Sequence, residues 1–193
     1  MIDSHDAFAF ARDFDASLTR DLGTAFRDPT MRKAAVFLSG PFAPVVFAPF
    51  LAFTLVRGGL RGVRIALGTL ALGALTSTIA TLLIKPLVAR PVPVGEGFGF
   101  PDPPAATAFA IAIYIALFYI GSGSWNILLA VAIAAATIVA GVAFPSDAFA
   151  GAILGFVLAV LAWNATRNNL GRREYRAMTS ELSGRQASKM SRR

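Results

Sequence analysis

Five long hydrophobic segments dominate the pattern of apolar and polar positions along this chain. They cover residues 34–56, 65–88, 105–121, 125–144 and 147–164, and each is close to the ~20 residues that a bilayer core requires. The linkers between the last three segments are so short that consecutive helices must run antiparallel. The pattern therefore predicts an all-α, polytopic transmembrane helical bundle with five spans.

Residues 4–27 follow a different pattern, in which large apolar side chains recur at every fourth position. They are Phe10, Phe14, Leu18, Leu22 and Phe26. This spacing predicts an amphipathic helix, and its interspersed charges favour a place in the membrane interface or across the bundle over a span. Asp28-Pro29 predicts the end of this helix and the start of the next.

Prolines and small residues refine the prediction for the bundle. The first span contains Pro41, Pro44 and Pro49, so we expect it to be kinked or broken near its start. Glycines such as Gly151 and Gly155 in the last span would allow two helix backbones to approach closely. The bundle is thus expected to pack through small residues.

Basic residues predict the orientation of the chain. Arg57, Arg61 and Arg64 mark one loop as cytoplasmic, and the arginine-rich residues 166–193 mark the C-terminus likewise. With an odd number of spans, the N-terminal helix and the loop 89–104 then lie outside. We therefore expect an amphipathic helix (1–28), a transmembrane bundle (29–165) and a basic cytoplasmic tail (166–193) in a cell inner (plasma) membrane.

Composition excludes several classes of function. The formal net charge of +7 comes from the expected cytoplasmic flanks, so no nucleic acid is predicted as a partner. The chain has no cysteine and a single histidine, His5, which excludes thiolate chemistry and a histidine-based metal cluster. We predict no metal and no cofactor, and no cleavable signal peptide is apparent.

Two segments on the expected outer side carry a recognisable spacing. In the first, Lys85 is followed after six residues by Val92, and 100–109 reads FPDPPAATAF. In the second, Ala143 and Asp147 are four residues apart just before the last hydrophobic segment. The arrangement resembles the three signature motifs of the type 2 phosphatidic acid phosphatase superfamily, which are membrane lipid-phosphate phosphatases.

The resemblance implies that most reactive positions have been replaced. Val92 stands at the arginine of the first motif, although Arg90-Pro91 lies two residues earlier. Asp102, Pro103 and Pro104 stand at Ser-Gly-His of the second motif, whose histidine is the general acid. Thr137 and Ala143 stand at the arginine and the nucleophilic histidine of the third. Only Lys85 and Asp147 survive.

The prediction is a degenerate member of this family, a pseudophosphatase without expected catalytic residues. Phosphoryl transfer through a covalent intermediate needs a nucleophile, an acid and donors to the phosphate oxygens. Pro103 and Pro104 moreover lack the backbone N–H that could serve as a donor. We expect a structural or accessory subunit, or a lipid-contacting component, of a membrane complex, with membrane lipids and membrane proteins as partners.

Alternatives remain open. The chain could be an active lipid-phosphate or polyprenyl-diphosphate phosphatase with a divergent site, in which Asp102 is the nucleophile or Glu96, Asp102 and Asp147 hold a divalent cation. A lipid or ion translocator is a third class. Asp102 could also simply cap a helix, and Lys85, Asp102 and Asp147 could form a self-neutralising charged cluster.

Overall fold

A computed structural model describes residues 4–26, 28–40, 43–94, 96–119 and 123–190. Within these ranges it describes all side chains except those of residues 4–12, 23 and 169–190. Within the described ranges every regular element is a helix, which confirms the predicted all-α class. The elements are α1 (Ser4–Ala25), α2 (Pro29–Ser39), a 3₁₀ turn (Ala43–Phe47), α3 (Ala48–Thr78), a π-helical turn (Ile79–Ile84), α4 (Lys85–Val88), α5 (Pro103–Phe118), α6 (Gly123–Val139) and α7 (Pro145–Met190).

The boundary between α1 and α2 lies where the sequence predicts it. Oδ1 of Asp28 accepts hydrogen bonds from the backbone N–H groups of Thr30 (2.7 Å) and Met31 (3.3 Å). Pro29 follows in the first turn, where its missing N–H costs nothing. Asp28 therefore caps α2 and separates the two N-terminal helices.

The first predicted span is interrupted, as its prolines suggest. α2 ends at Ser39, and helical structure resumes only with the 3₁₀ turn at Ala43. Ala43 and Phe47 are buried in a core shared with α5 and α6. The interruption places the start of α3 against the middle of the bundle.

The chain reverses direction inside α3, at the predicted cytoplasmic loop. Gly59 has φ +50° and ψ −139°, a conformation that favours glycine. At Gly62, a Cβ atom would collide with the backbone oxygen of Thr54, so the two limbs of the helix meet closely there. α3 is thus a hairpin of residues 48–58 and 60–78.

The second limb of α3 returns along α5. Gly68 lies beside Tyr114, and Gly73 lies beside Ile111 and Thr107, so the limb runs antiparallel to α5. The π-helical turn then delivers Lys85 to the level of the α5 N-terminus. A loop at 89–102, with one antiparallel bridge between Pro91 and Phe98, closes this end.

Helices α5 and α7 pack backbone against backbone. A Cβ on Gly151 would lie 2.6 Å from the backbone oxygen of Asp102, and one on Gly155 would collide with that of Ala106. Both positions are therefore limited to glycine by backbone contact. This contact fixes the start of α7 beside the start of α5.

The outward surface is apolar. Val56 (84% exposed), Leu60, Leu87 and Leu161 all point away from the bundle, which suits hydrocarbon better than water. The segment Ala43–Val88, which contains both limbs of α3, and the segment Pro145–Asn168 are long and apolar enough to cross a bilayer, and α5 and α6 are shorter apolar helices. α7 continues through the predicted tail as one helix to Met190, since no proline interrupts it.

Candidate functional site

The predicted motif positions meet at one end of the bundle, where α5 and α7 begin and α6 ends. Asp102 precedes α5, and its Oδ2 accepts a hydrogen bond from the backbone N–H of Ala105 (3.2 Å). Thr137 near the end of α6 donates its hydroxyl to the same oxygen (2.8 Å). Two positions that are 35 residues apart are therefore in direct contact.

Asp102 is nearly inaccessible. It is 1% exposed, and its Oδ1 has no hydrogen-bond partner among the described residues. Burial raises the pKa of this carboxyl to about 6, against the opposing effects of the bonds from Thr137 and Ala105 and of the Lys85 charge. A carboxylate so enclosed is poorly placed to attack a substrate phosphorus.

Asp147 is also buried, in the first turn of α7. Its Oδ1 accepts from Nη1 of Arg90 (2.7 Å), and its Oδ2 accepts from the backbone N–H of Phe144 (3.2 Å). The backbone oxygen of Asp147 accepts from the N–H of Asp102 (3.1 Å). Asp147 thus joins the two helix starts and neutralises Arg90.

The remaining motif positions offer no reactive group. Ala143 is fully buried, and Val92 is half-buried in the loop with its N–H bonded to the oxygen of Gly97. Pro103 and Pro104 form the first turn of α5. They also line a cavity of about 290 Å³ between α5, the second limb of α3 and the break after α2.

Lys85 is a half-buried cation near this cluster. The charges of Asp102 and Asp147 act on it electrostatically, yet neither carboxylate lies within 4 Å of its Nζ among the described groups. The predicted trio of Lys85, Asp102 and Asp147 is therefore brought together, but without a direct ion pair.

Arg90 is the centre of the strongest polar network in this region. Its Nη1 donates to Oγ of Ser146 (2.6 Å) as well as to Asp147, and its Nη2 donates to Oδ2 of Asp15 (2.7 Å). The guanidinium also stacks over the ring of Phe144, at 4.6 Å. In the sequence, Arg90 lies two residues before the position of the motif arginine.

Asp15 of α1 is the residue that the sequence analysis missed. Its carboxylate accepts from the backbone N–H of Ser146 (3.0 Å) and from the Ser146 hydroxyl (2.6 Å), in addition to Arg90. Burial acts to raise the pKa of Asp15, but the hydrogen bonds from Ser146 and Arg90 outweigh it and hold the pKa below its usual 3.8. Asp15 is therefore the carboxylate through which α1 contacts Arg90 and Ser146.

The docking of Asp15 rotates α1 relative to its predicted face. Asp15 is 2% exposed, whereas Phe14 is 52% exposed. The buried carboxylate of Asp15 is compensated by an ion pair with Arg90 and by two hydrogen bonds from Ser146. The ring of Phe14 needs no such partner and can face lipid. Asp15 shares the helical face of Leu18 and Leu22, at i+3 and i+7. A carboxylate on this otherwise apolar face is the feature of the sequence that could have indicated its burial.

No group of three or more metal-ligating side chains occurs in the part of the chain that the structure describes. Glu96 is exposed in the loop and does not join Asp102 and Asp147 in such a group.

Comparison with protein families supports the resemblance seen in the motifs. The PAP2 superfamily model matches residues 97–170, a range that includes α5, α6 and the spanning part of α7. No curated protein matches the chain significantly.

Two solved structures share the fold. The first is a transmembrane PAP2-type phosphatidylglycerolphosphate phosphatase from Bacillus subtilis, with TM-score 0.65 and 17% identity over 82% of this chain and 87% of that one. The second is LpxE from Aquifex aeolicus, with TM-score 0.59 and 23% identity over 77% of this chain and 94% of that one.

The fold and the matched segment define the class: this is a helical membrane protein with the PAP2 architecture. Residues 97–170 match the PAP2 superfamily model, and the helical fold is shared with two PAP2-type phosphatases, in agreement with the resemblance predicted from the motif spacing.

Proposed function

We propose that this protein is a non-catalytic relative of the PAP2 phosphatases that serves as a structural, accessory or lipid-contacting component of a membrane complex. The observation that carries the proposal is the content of the motif cluster. Alanine and proline stand at the positions of the nucleophile and the general acid, and the two remaining carboxylates, Asp102 and Asp147, are buried and hydrogen-bonded.

The surroundings of the cluster support a lipid-contacting role. The cavity of about 290 Å³ is lined largely by proline, alanine, glycine and leucine, which suits an acyl chain. We further propose that the motif cluster and α1 face the outside of an inner membrane, with the arginine-rich turn of α3 and the C-terminus of α7 in the cytoplasm.

The test is a phosphatase assay on the purified protein with phosphatidate, lysophosphatidate, phosphatidylglycerolphosphate and undecaprenyl diphosphate, with and without Mg²⁺. We expect phosphate release equal to the no-enzyme control. The turnover should lie on the order of 10⁴-fold or more below that of an active relative, because the essential groups of such sites act as a unit. The Bacillus subtilis phosphatidylglycerolphosphate phosphatase is the positive control.

An activity that disappears in Asp102→Asn would instead support the alternative, an active lipid-phosphate phosphatase with Asp102 as nucleophile. Persistence of that activity in the same variant would point to a different nucleophile. Either result would refute the non-catalytic role.

A further inference from the structure

Three donors converge on the carboxylate of Asp15 in a way that would suit other anions. Nη2 of Arg90, the backbone N–H of Ser146 and the Ser146 hydroxyl bind its two oxygens at 2.6–3.0 Å. A guanidinium with adjacent N–H and O–H donors is also the common way in which proteins bind phosphate oxygens. Arg90 and Ser146 lie within the first and third motif segments, but neither stands at a defined residue of the family's three motifs.

The C-terminal half of α1 makes a shallow contact with the bundle. Among its residues with described side chains, 13–22 and 24–25, Asp15 alone is buried, and Leu18, Thr19 and Leu22 are half-buried. Over residues 13–22 and 24–25, the attachment of α1 therefore depends mainly on polar bonds. Such bonds can be exchanged for equivalent bonds to another anion at little net cost.

The charges around the site favour an incoming group with a single negative charge. Arg90 and Lys85 are the cations near it, and Asp15, Asp102 and Asp147 are the acids. If Asp15 leaves and a monoanion enters, the local balance is unchanged. A dianionic phosphate monoester would add a second negative charge beside the buried Asp147, which is unfavourable.

The position of the site favours a lipid source for that group. Arg90 and Ser146 lie at the end of the spanning helices, where headgroups are found, and the side chain of Arg90 remains 28% exposed. The chain that joins α1 to α2 passes through Asp28-Pro29, where helical structure is interrupted. Movement of α1 about this point would uncover the three donors.

We propose that Arg90 and Ser146 form an anion-binding site in which Asp15 is the resident ligand, and that a monoanionic phosphodiester headgroup of a membrane lipid displaces Asp15 and releases α1. The inference goes beyond the proposed non-catalytic function, and it holds whether or not the protein hydrolyses a substrate. We call α1 a latch in this sense: it is docked on the bundle through Asp15 and is released by anionic lipid.

The latch can be tested by spin labelling, since the chain has no cysteine of its own. Labels at Ser17→Cys in α1 and Thr81→Cys in the π-helical turn, both exposed, report their separation by pulsed electron paramagnetic resonance in phosphatidylcholine nanodiscs. Asp15→Asn should raise the ratio of detached to docked α1 about tenfold or more, because it removes hydrogen bonds to a charged group. Asp13→Asn, an exposed neighbour on the same helix, should leave the ratio unchanged.

The displacing anion is tested in parallel arms. Phosphatidylglycerol in the nanodisc should increase the detached fraction of the unmutated chain, while inorganic phosphate in the buffer should not. Phosphorus analysis of the protein purified with this lipid should show more bound phosphatidylglycerol in Asp15→Asn than in the unmutated chain. The double variant Asp15→Asn/Arg90→Gln should lose that gain.

Each opposite result overturns part of the proposal. Identical label distances in Asp15→Asn, Asp13→Asn and the unmutated chain would exclude the latch. Displacement by inorganic phosphate alone would exclude the lipid as the source, and no response to either anion would exclude an external ligand. Appearance of phosphatase activity in Asp15→Asn would refute the non-catalytic function while leaving the latch intact.

Discussion

At the scale of single residues, three buried carboxylates are stabilised in three ways. Asp147 pairs with Arg90, and Asp15 shares the same arginine while it also accepts from Ser146. Asp102 has no arginine partner in the part of the chain that the structure describes, and it depends on a hydroxyl and a backbone N–H. Because hydrogen bonds compensate burial less well than an ion pair with hydrogen bonds does, Asp102 bears the largest electrostatic cost when ionised.

That difference predicts a pH dependence for Asp102. Its folded-state pKa of about 6 lies above the value of 3.8 expected when unfolded, so its contribution to folding is most favourable below pH 3.8. Stability then falls as the pH rises towards 6, by roughly 3 kcal/mol in total. Asp102→Asn should flatten this decline, as measured by thermal unfolding in detergent at pH 4.5 and pH 7.5.

Asp102→Ala provides the matched control for that measurement. It removes the helix cap and the bond from Thr137 together with the charge, so at both pH values its unfolding temperature should lie below that of Asp102→Asn, by the equivalent of about 1 kcal/mol or more. If Asp102→Asn retained the full pH dependence of the unmutated chain, the titrating group would be a different one.

At the scale of the elements, the contact between α5 and α7 determines where the motif positions meet. Gly151 and Gly155 bring the α7 backbone against the α5 backbone at Asp102, Ala106 and Ala110. Asp102 and Asp147 then bond through their main chains. The site is therefore a consequence of helix packing, since no single element carries it.

A single methyl group at Gly155 should disrupt this packing. Its Cβ would collide with the backbone oxygen of Ala106 and lie 2.8 Å from the nitrogen of Ala110, and backbone atoms cannot rotate away. Gly155→Ala should thus lower the free energy of unfolding by about 1–3 kcal/mol, although alanine is the better helix former. Denaturant unfolding in mixed micelles would measure the change.

Ala165→Val is the control for Gly155→Ala. It adds two methyl groups to the same helix at an exposed position, and the free energy of unfolding should change by no more than about 0.5 kcal/mol. An equal decrease in the free energy of unfolding in the two variants would mean that α7 does not pack on α5 through its glycines.

At the scale of the whole molecule, the reversal at Gly59 and the loop at 89–102 lie at opposite ends of the bundle. Asp147 and Trp163 in α7 mark the same two ends, about 24 Å apart at 1.5 Å per residue. This separation is comparable to the thickness of a bilayer core. The charges around Gly59 are arginines, and the other end holds the acidic network of Asp15, Asp102 and Asp147.

The proposed orientation predicts which end is reached from outside the cell. Glu96→Cys in the loop and Arg61→Cys near the reversal are both exposed positions. An impermeant thiol reagent applied to intact cells should label the first and spare the second until the cells are permeabilised. Labelling of Arg61→Cys alone in intact cells would establish the inverted topology.

Most helices and their boundaries could be predicted from the sequence, because local chemistry decides them. Apolar segments of bilayer length predicted the helices, Asp28-Pro29 and Asp102-Pro103 predicted two helix starts, and the prolines after Ser39 predicted the interruption there. The motif spacing predicted a resemblance to the PAP2 family, and its positions Asp102, Thr137 and Asp147 lie in one cluster in the structure.

Only the tertiary structure decided which charges pair and which face of α1 docks. Asp15 lies 75 positions from Arg90 in the sequence, and no local pattern couples residues at that separation. The apolar period of α1 favoured burial of Phe14, but the energy of the helix also depends on what the bundle presents to it. Arg90 and Ser146 present hydrogen-bond donors, and a buried carboxylate matches them better than an aromatic ring.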